Sequence, residues 1–182
     1  TISAILLALI FSATVTLAQD IPVRAMEYPI KAAFLYKFCF YIEWPPVAFA
    51  NVDSPFVFGI AAPDDFIAEL NAVVKDHMIK DRQVQVRKIN DDDDLAGIHV
   101  LFIASSNQTQ LPHLLSRTRG QSLLIVTESE RGLDDGGTIN FSLKNKRVIF
   151  DVAFDTANHR SLHLSAQLLK VANSVRGEAT IQ

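Results

Sequence analysis

Apolar residues crowd one stretch of this chain on almost every side. From Glu27 to Pro46 it reads EYPIKAAFLYKFCFYIEWPP, with charge only at Glu27, Lys31, Lys37 and Glu43. The pattern predicts a helix stopped by Pro45 and Pro46, with Pro29 near its start, where a missing N–H has no partner to lose. Glu27 and Lys31 stand four apart, acid first, the favourable order for an ion pair along a helix face. A helix this apolar is buried on most sides, against its own sheet, a second copy of the chain or a partner.

Downstream, the period alternates between strand and helix. Phe56–Ala61 (FVFGIA) is apolar on both faces, as in a strand covered from both sides. Pro63-Asp64-Asp65 opens a helix whose apolar side carries Phe66, Ile67, Leu70, Val73 and Val74. Val84–Ile89 alternates, which predicts a strand with one exposed face. Asp91 to Asp94 form an acidic loop. His99–Ala104 is a second apolar strand, Asn107–Arg117 a helix, and Ser122–Thr127 a third apolar strand. After the turn Leu133–Gly137, TINFSL and RVIFDV flank Lys144-Asn145-Lys146 and predict a hairpin on the edge of the sheet. Asp151–Arg160 reads as a helical lead-in. Leu162 to Val175 has helical spacing and is expected to close the core. The fold class is α/β: a single domain, mostly parallel sheet flanked by helices, with a C-terminal β-hairpin and closing helix.

The N-terminus changes the picture of compartment. Thr1 to Ala18 carry no charge, and Thr16 and Ala18 are small residues suited to a cleavage site before Gln19. This reads as residues 1–18 of a signal peptide, cleaved near Ala18, with 19–182 exported as one domain. The formal net charge is −3 and the chain has no basic stripe, which argues against nucleic acid. The single cysteine, Cys39, allows no intramolecular disulfide and reads as a small buried residue in the aromatic helix.

Few residues suggest chemistry. Gly136-Gly137 follows two acids and enters a strand, so it reads as a turn and not as a phosphate loop. Ser105 and Ser106 follow a strand but lack flanking glycines. They read as a loop start and helix cap. His159 and His163 stand four apart and could share a helix face with Asp155, yet no glutamate lies between them as in zinc proteases. Asp91 to Asp94 lack the alternation of a calcium loop. We therefore expect no catalytic residues, no cofactor and no metal, and a protein that works by binding.

Four blocks sharpen that expectation. EYPIKAAFLYKFCFYIEWP, HVLFIASS, GGTINFSLKNKRVIFDV and LHLSAQLLKVA occur in the order and spacing of the YfiR-like family, which the chain resembles over nearly all of residues 19–182. The resemblance implies a small periplasmic protein of Gram-negative bacteria with an α/β fold. It implies a repressor that binds the periplasmic sensor region of an inner-membrane signalling protein, a diguanylate cyclase, and so acts on cyclic di-GMP and biofilm formation. An outer-membrane lipoprotein that sequesters it, and a homodimer, are further partners implied in the same way. The paired cysteines of the family's well-studied member are not repeated here, where only Cys39 exists, so redox control of that kind is not expected to carry over. Ala153, His99 and Leu133 also depart from the family pattern.

The expected partner surface is the exposed part of the aromatic block: Tyr28, Lys31, Tyr36, Lys37 and Trp44. Aromatic anchors with charges at the rim suit an interface. The alternative is a small-molecule binding module serving another membrane receptor, such as a histidine kinase. Its ligand would sit in a crevice at the strand ends, near Asn107, Arg117 and Arg119.

Overall fold

The computed structural model describes residues 23–177; the expected signal peptide lies outside them. The elements in chain order are α1 (Val23–Tyr41), β1 (Ile42–Glu43), β2 (Phe56–Ala61), α2 (Asp64–Val74), β3 (Met78–Ile79), β4 (Arg82–Lys88), β5 (Val100–Ile103), α3 (Leu111–Arg117) and β6 (Leu124–Thr127). There follow β7 (Ile139–Lys144), β8 (Arg147–Ala153), α4 (Phe154–His159), β9 (His163–Leu164), α5 (Ala166–Val171) and β10 (Ser174–Arg176). Among the described residues, eight strands form one sheet in the order β10-β8-β7-β6-β5-β2-β4-β3. Pairing is parallel except between β7 and β8 and between β3 and β4. The α/β expectation holds.

Alternation along the central strands explains why both faces are covered. Phe56, Phe58 and Ile60 of β2, with Val100, Phe102, Leu124 and Val126, face a large cluster under α1 and α2. Val57, Ala61, Leu101, Ile103 and Ile125 face a smaller aliphatic cluster with Leu111 and Leu114 of α3. Continuous apolar runs are what a parallel strand between two layers requires.

Three expectations are corrected. First, α1 begins at Val23, so Pro29 lies inside it and not near its start. Pro29 is exposed, and a missing helical hydrogen bond costs least where water can replace it. Second, the stretch from Leu162 to Val175 is not one closing helix but β9, α5 and β10. β9 pairs antiparallel with β1, the Ser165 hydroxyl caps α5 by accepting from the Leu168 N–H, and β10 pairs parallel with β8. Tertiary pairing overrides a helical spacing of apolar residues when open strands offer ladder partners. Third, β8 is not the sheet edge, because β10 covers it. The hairpin itself forms as expected: Lys144 pairs with Arg147, and Asn145 and Lys146 take φ of 51° and 61°, as a two-residue turn of this twist demands.

Candidate functional site

α1 has two unlike faces. Ala32, Leu35, Phe38 and Cys39 are buried against the sheet. The Cys39 thiol donates to the Leu35 carbonyl at 3.3 Å, and burial pushes its pKa well up, so it stays a protonated, unreactive packing group. The opposite face is apolar yet uncovered. Met26, Ile30, Phe40 and Tyr41 are 66%, 48%, 49% and 41% exposed. Their spacing, with Ala33 and Lys37 between, puts them on one side of the helix. A shallow hollow of about 310 Å³, lined by Pro29, Ile30, Ala33, Phe34 and Lys37, lies on this side.

The five residues expected at a partner surface divide. Lys37 is exposed; Tyr28 and Tyr36 are half-buried. Tyr28 meets Phe66 edge-on at 5.4 Å, and Tyr36 meets Phe40 and His77 at 5.0 and 5.6 Å. Lys31 and Trp44, expected to be exposed, are buried. Polar atoms suggested solvent for both, but each has an internal partner that replaces water. The residues that sequence reasoning missed are Met26, Ile30, Phe40 and Tyr41. In a helix apolar all round, periodicity gives no signal for which side stays open.

Lys31 sits beneath the carboxyl end of β6. Its ammonium donates to Glu128 at 2.8 Å and to Glu27 one turn back on α1. An ammonium held by two carboxylates satisfies its charge without water. Around this triad opens a cleft of about 890 Å³, over the carboxyl ends of β5 and β6 and against β7 and β8. Ser105, Ser129, Asn140 and Asp151 also line it. Asn140 Oδ1 accepts from the Thr127 hydroxyl at 2.8 Å and from the Ser129 N–H at 3.1 Å. Ser129 Oγ, however, is buried with no protein partner. Gly132 and Gly137 let the β6–β7 loop close over this corner: a Cβ on Gly137 would sit 2.7 Å from the Gly132 carbonyl oxygen.

The strand order β4-β2-β5-β6 reverses between β2 and β5, and crevices in such sheets open at the carboxyl ends near the reversal. The cleft lies one strand away. None of Asn107, Arg117 and Arg119 lines it. Arg117 donates to the carbonyls of Asp91 and Asp93, fastening the acidic loop. Asn107 bonds with Ser106 and Gln110. Arg119 lines a separate pocket. His159 ends α4 while His163 lies in β9, so the two do not share a helix face.

The amino end of the sheet is closed by Trp44 and His99. The indole N–H donates to the His99 carbonyl at 3.1 Å, and the ring meets Phe56 edge-on at 5.0 Å. The His99 ring stacks on Phe49 and Phe56 at 4.3 and 4.9 Å. Its Nδ1 accepts the Val57 N–H at 3.1 Å, so Nε2 carries the proton and donates to the Ala48 carbonyl, also at 3.1 Å. Burial, first of all, lowers its pKa to about 4.

Comparison with known proteins agrees with this architecture. The family described as YfiR/HmsC-like matches residues 28–173. No curated protein matches the sequence. A crystal structure of a conserved domain protein from Vibrio cholerae O1 biovar El Tor superposes with a TM-score of 0.57 at 7% identity, over 82% of this chain and 60% of that one. That likeness is one of fold, and the chain spans 60% of the Vibrio protein's length.

Proposed function

The chain belongs to the YfiR/HmsC-like family, and on that premise we propose that it is an exported periplasmic regulator of cyclic di-GMP signalling. It binds the periplasmic region of an inner-membrane diguanylate cyclase and holds the enzyme inactive. The observation that supports this reading is the uncovered apolar side of α1, where Met26, Ile30, Phe40 and Tyr41 flank Lys37. Exposed aromatic and methionine side chains around a cation suit an interface core better than a solvated face. Tyr36, half-buried beside this stripe, meets Phe40 edge-on and extends its aromatic rim, while Tyr28, Lys31 and Trp44 lie off it, against Phe66, Glu128 and the His99 carbonyl. Repression follows if the surface fits the inactive cyclase better than the active one, since only that difference in affinity shifts the equilibrium. An outer-membrane lipoprotein competing for the same side would release the enzyme, and a homodimer would present two copies of it.

The test is capture of a purified cyclase periplasmic region by the mature chain. Phe40→Ala combined with Lys37→Glu is expected to weaken capture by about 2 kcal/mol or more, with thermal unfolding nearly unchanged. Undiminished capture sinks the surface assigned here.

A second reading has its own support. The buried, unpartnered Ser129 hydroxyl in the acidic cleft suits a small polar ligand, and a module of that kind would feed a different receptor, such as a histidine kinase. Calorimetric titration with amino acids and amines, compared with a Ser129→Ala variant, separates the two.

A further inference from the structure

Two arginines near the end of α3 form no ion pair among the described residues. Arg160 follows α4 and is half-buried. Its guanidinium donates to the Thr118 carbonyl at 3.0 Å, the Gln121 carbonyl at 3.5 Å and the Thr118 hydroxyl at 3.4 Å. All three acceptors are neutral. A guanidinium carries five N–H donors, so two remain. No carboxylate among the described residues forms an ion pair with it. Burial alone lowers its pKa, the mark of a cation removed from water without an anion in return. Arg119, just past the end of α3, is exposed and also forms no ion pair among the described residues.

Both side chains line one pocket of about 370 Å³, with Pro112, Leu115, Ser116 and Gly136 as its other walls. Asp135 also lines the pocket, and its carboxylate lies 3.6 Å from Arg131, which offsets its charge. The cation of Arg160 at the end of α3 also complements the helix dipole. That role occupies the edge facing Thr118 and leaves the other N–H groups and Arg119 unexplained.

We propose that Arg119 and Arg160 form a binding site for a phosphate group, carried either on a small soluble molecule or on a lipid headgroup. Two arginines lining one pocket supply planar forks that suit a tetrahedral oxyanion with several acceptor oxygens. The pocket is roomier than the anion alone needs, and the apolar walls Pro112 and Leu115 suit the organic part. The proposal stands apart from the role of α1 and survives if that role fails.

The mature chain is titrated with inorganic phosphate and glycerol phosphate by calorimetry, and its binding to phosphatidylcholine vesicles is measured with and without phosphatidylglycerol. Chloride at equal ionic strength is the reference. Saturable binding is expected in at least one arm. Arg119→Ala is expected to weaken it about tenfold with unchanged thermal unfolding, because the exposed Arg119 side chain bonds to none of the described residues. Arg160→Lys should weaken it too, since a lysine keeps the charge but loses the fork. Asp135→Asn should tighten it. Binding only to anionic vesicles identifies a headgroup; binding to the soluble phosphates identifies a small molecule. Binding no stronger than chloride in every arm, or equal in the Arg119→Ala variant, overturns the proposal.

Discussion

The two ends of the sheet bury polar groups by opposite means. At the carboxyl end, Lys31 remains charged between Glu27 and Glu128, beside an open polar cleft. At the amino end, His99 is kept neutral between Phe49 and Phe56, with both ring nitrogens bonded to backbone. Charge is retained where partners and nearby water can hold it, and is given up where aromatic rings exclude water. The carboxyl end thus carries an open polar cleft, while the amino end is a seal. Arg82 reinforces that seal: it donates to the carbonyls of Val52 and Ser54, each at 2.7 Å, and lies 3.9 Å over the Phe49 ring.

The sharpest way to break this contrast is at Lys31. Lys31→Ala strands two carboxylates beside the core and is expected to cost about 3–5 kcal/mol, read as a shift in the urea midpoint. Adding Glu27→Gln and Glu128→Gln should recover much of that loss. A cost under about 1 kcal/mol would mean that water already solvates the triad.

Acid tests the other end. The pKa of His99 falls from 6.5 to about 4 on folding, so below pH 6.5 the unfolded chain binds a proton that the folded chain refuses. Stability from this group is full above pH 6.5, declines as pH falls, and is lost at about pH 4. The whole span is worth up to about 3 kcal/mol. Urea midpoints between pH 7 and 4 should show this slope, and a His99→Gln variant should flatten it. Smaller still is Trp44→Phe, which removes the N–H donor to the His99 carbonyl and leaves the ring's packing largely in place. A loss of about 1–2 kcal/mol is expected, with the acid slope kept. A larger loss would give the indole, and not the imidazole, the main share of the seal.

Much of the fold was legible from residue types. The apolar runs Phe56–Ala61 and His99–Ala104 forecast covered strands because only a two-sided environment tolerates them. Lys144-Asn145-Lys146 between two strand-like runs forecast a hairpin, which turns on Asn145 and Lys146. The pair Glu27–Lys31 was legible from its spacing, but its third member was not. Glu128 lies 97 residues away in sequence from Lys31, and no local pattern encodes such a contact. The site was read less well for the same reason. Lys31 and Trp44 looked exposed by chemical type, and the folded chain buried them because Glu128 and the His99 carbonyl replace water.

The sequence alone therefore determined the class of the fold, its covered central strands and the position of its most apolar helix, since these follow from periodicity within short windows. Tertiary structure decided which side of α1 stays open, that the segment after Leu162 divides into β9, α5 and β10, and that Arg119 and Arg160 share a pocket. Each of these depends on partners far apart along the chain, and burial is settled only when those partners meet.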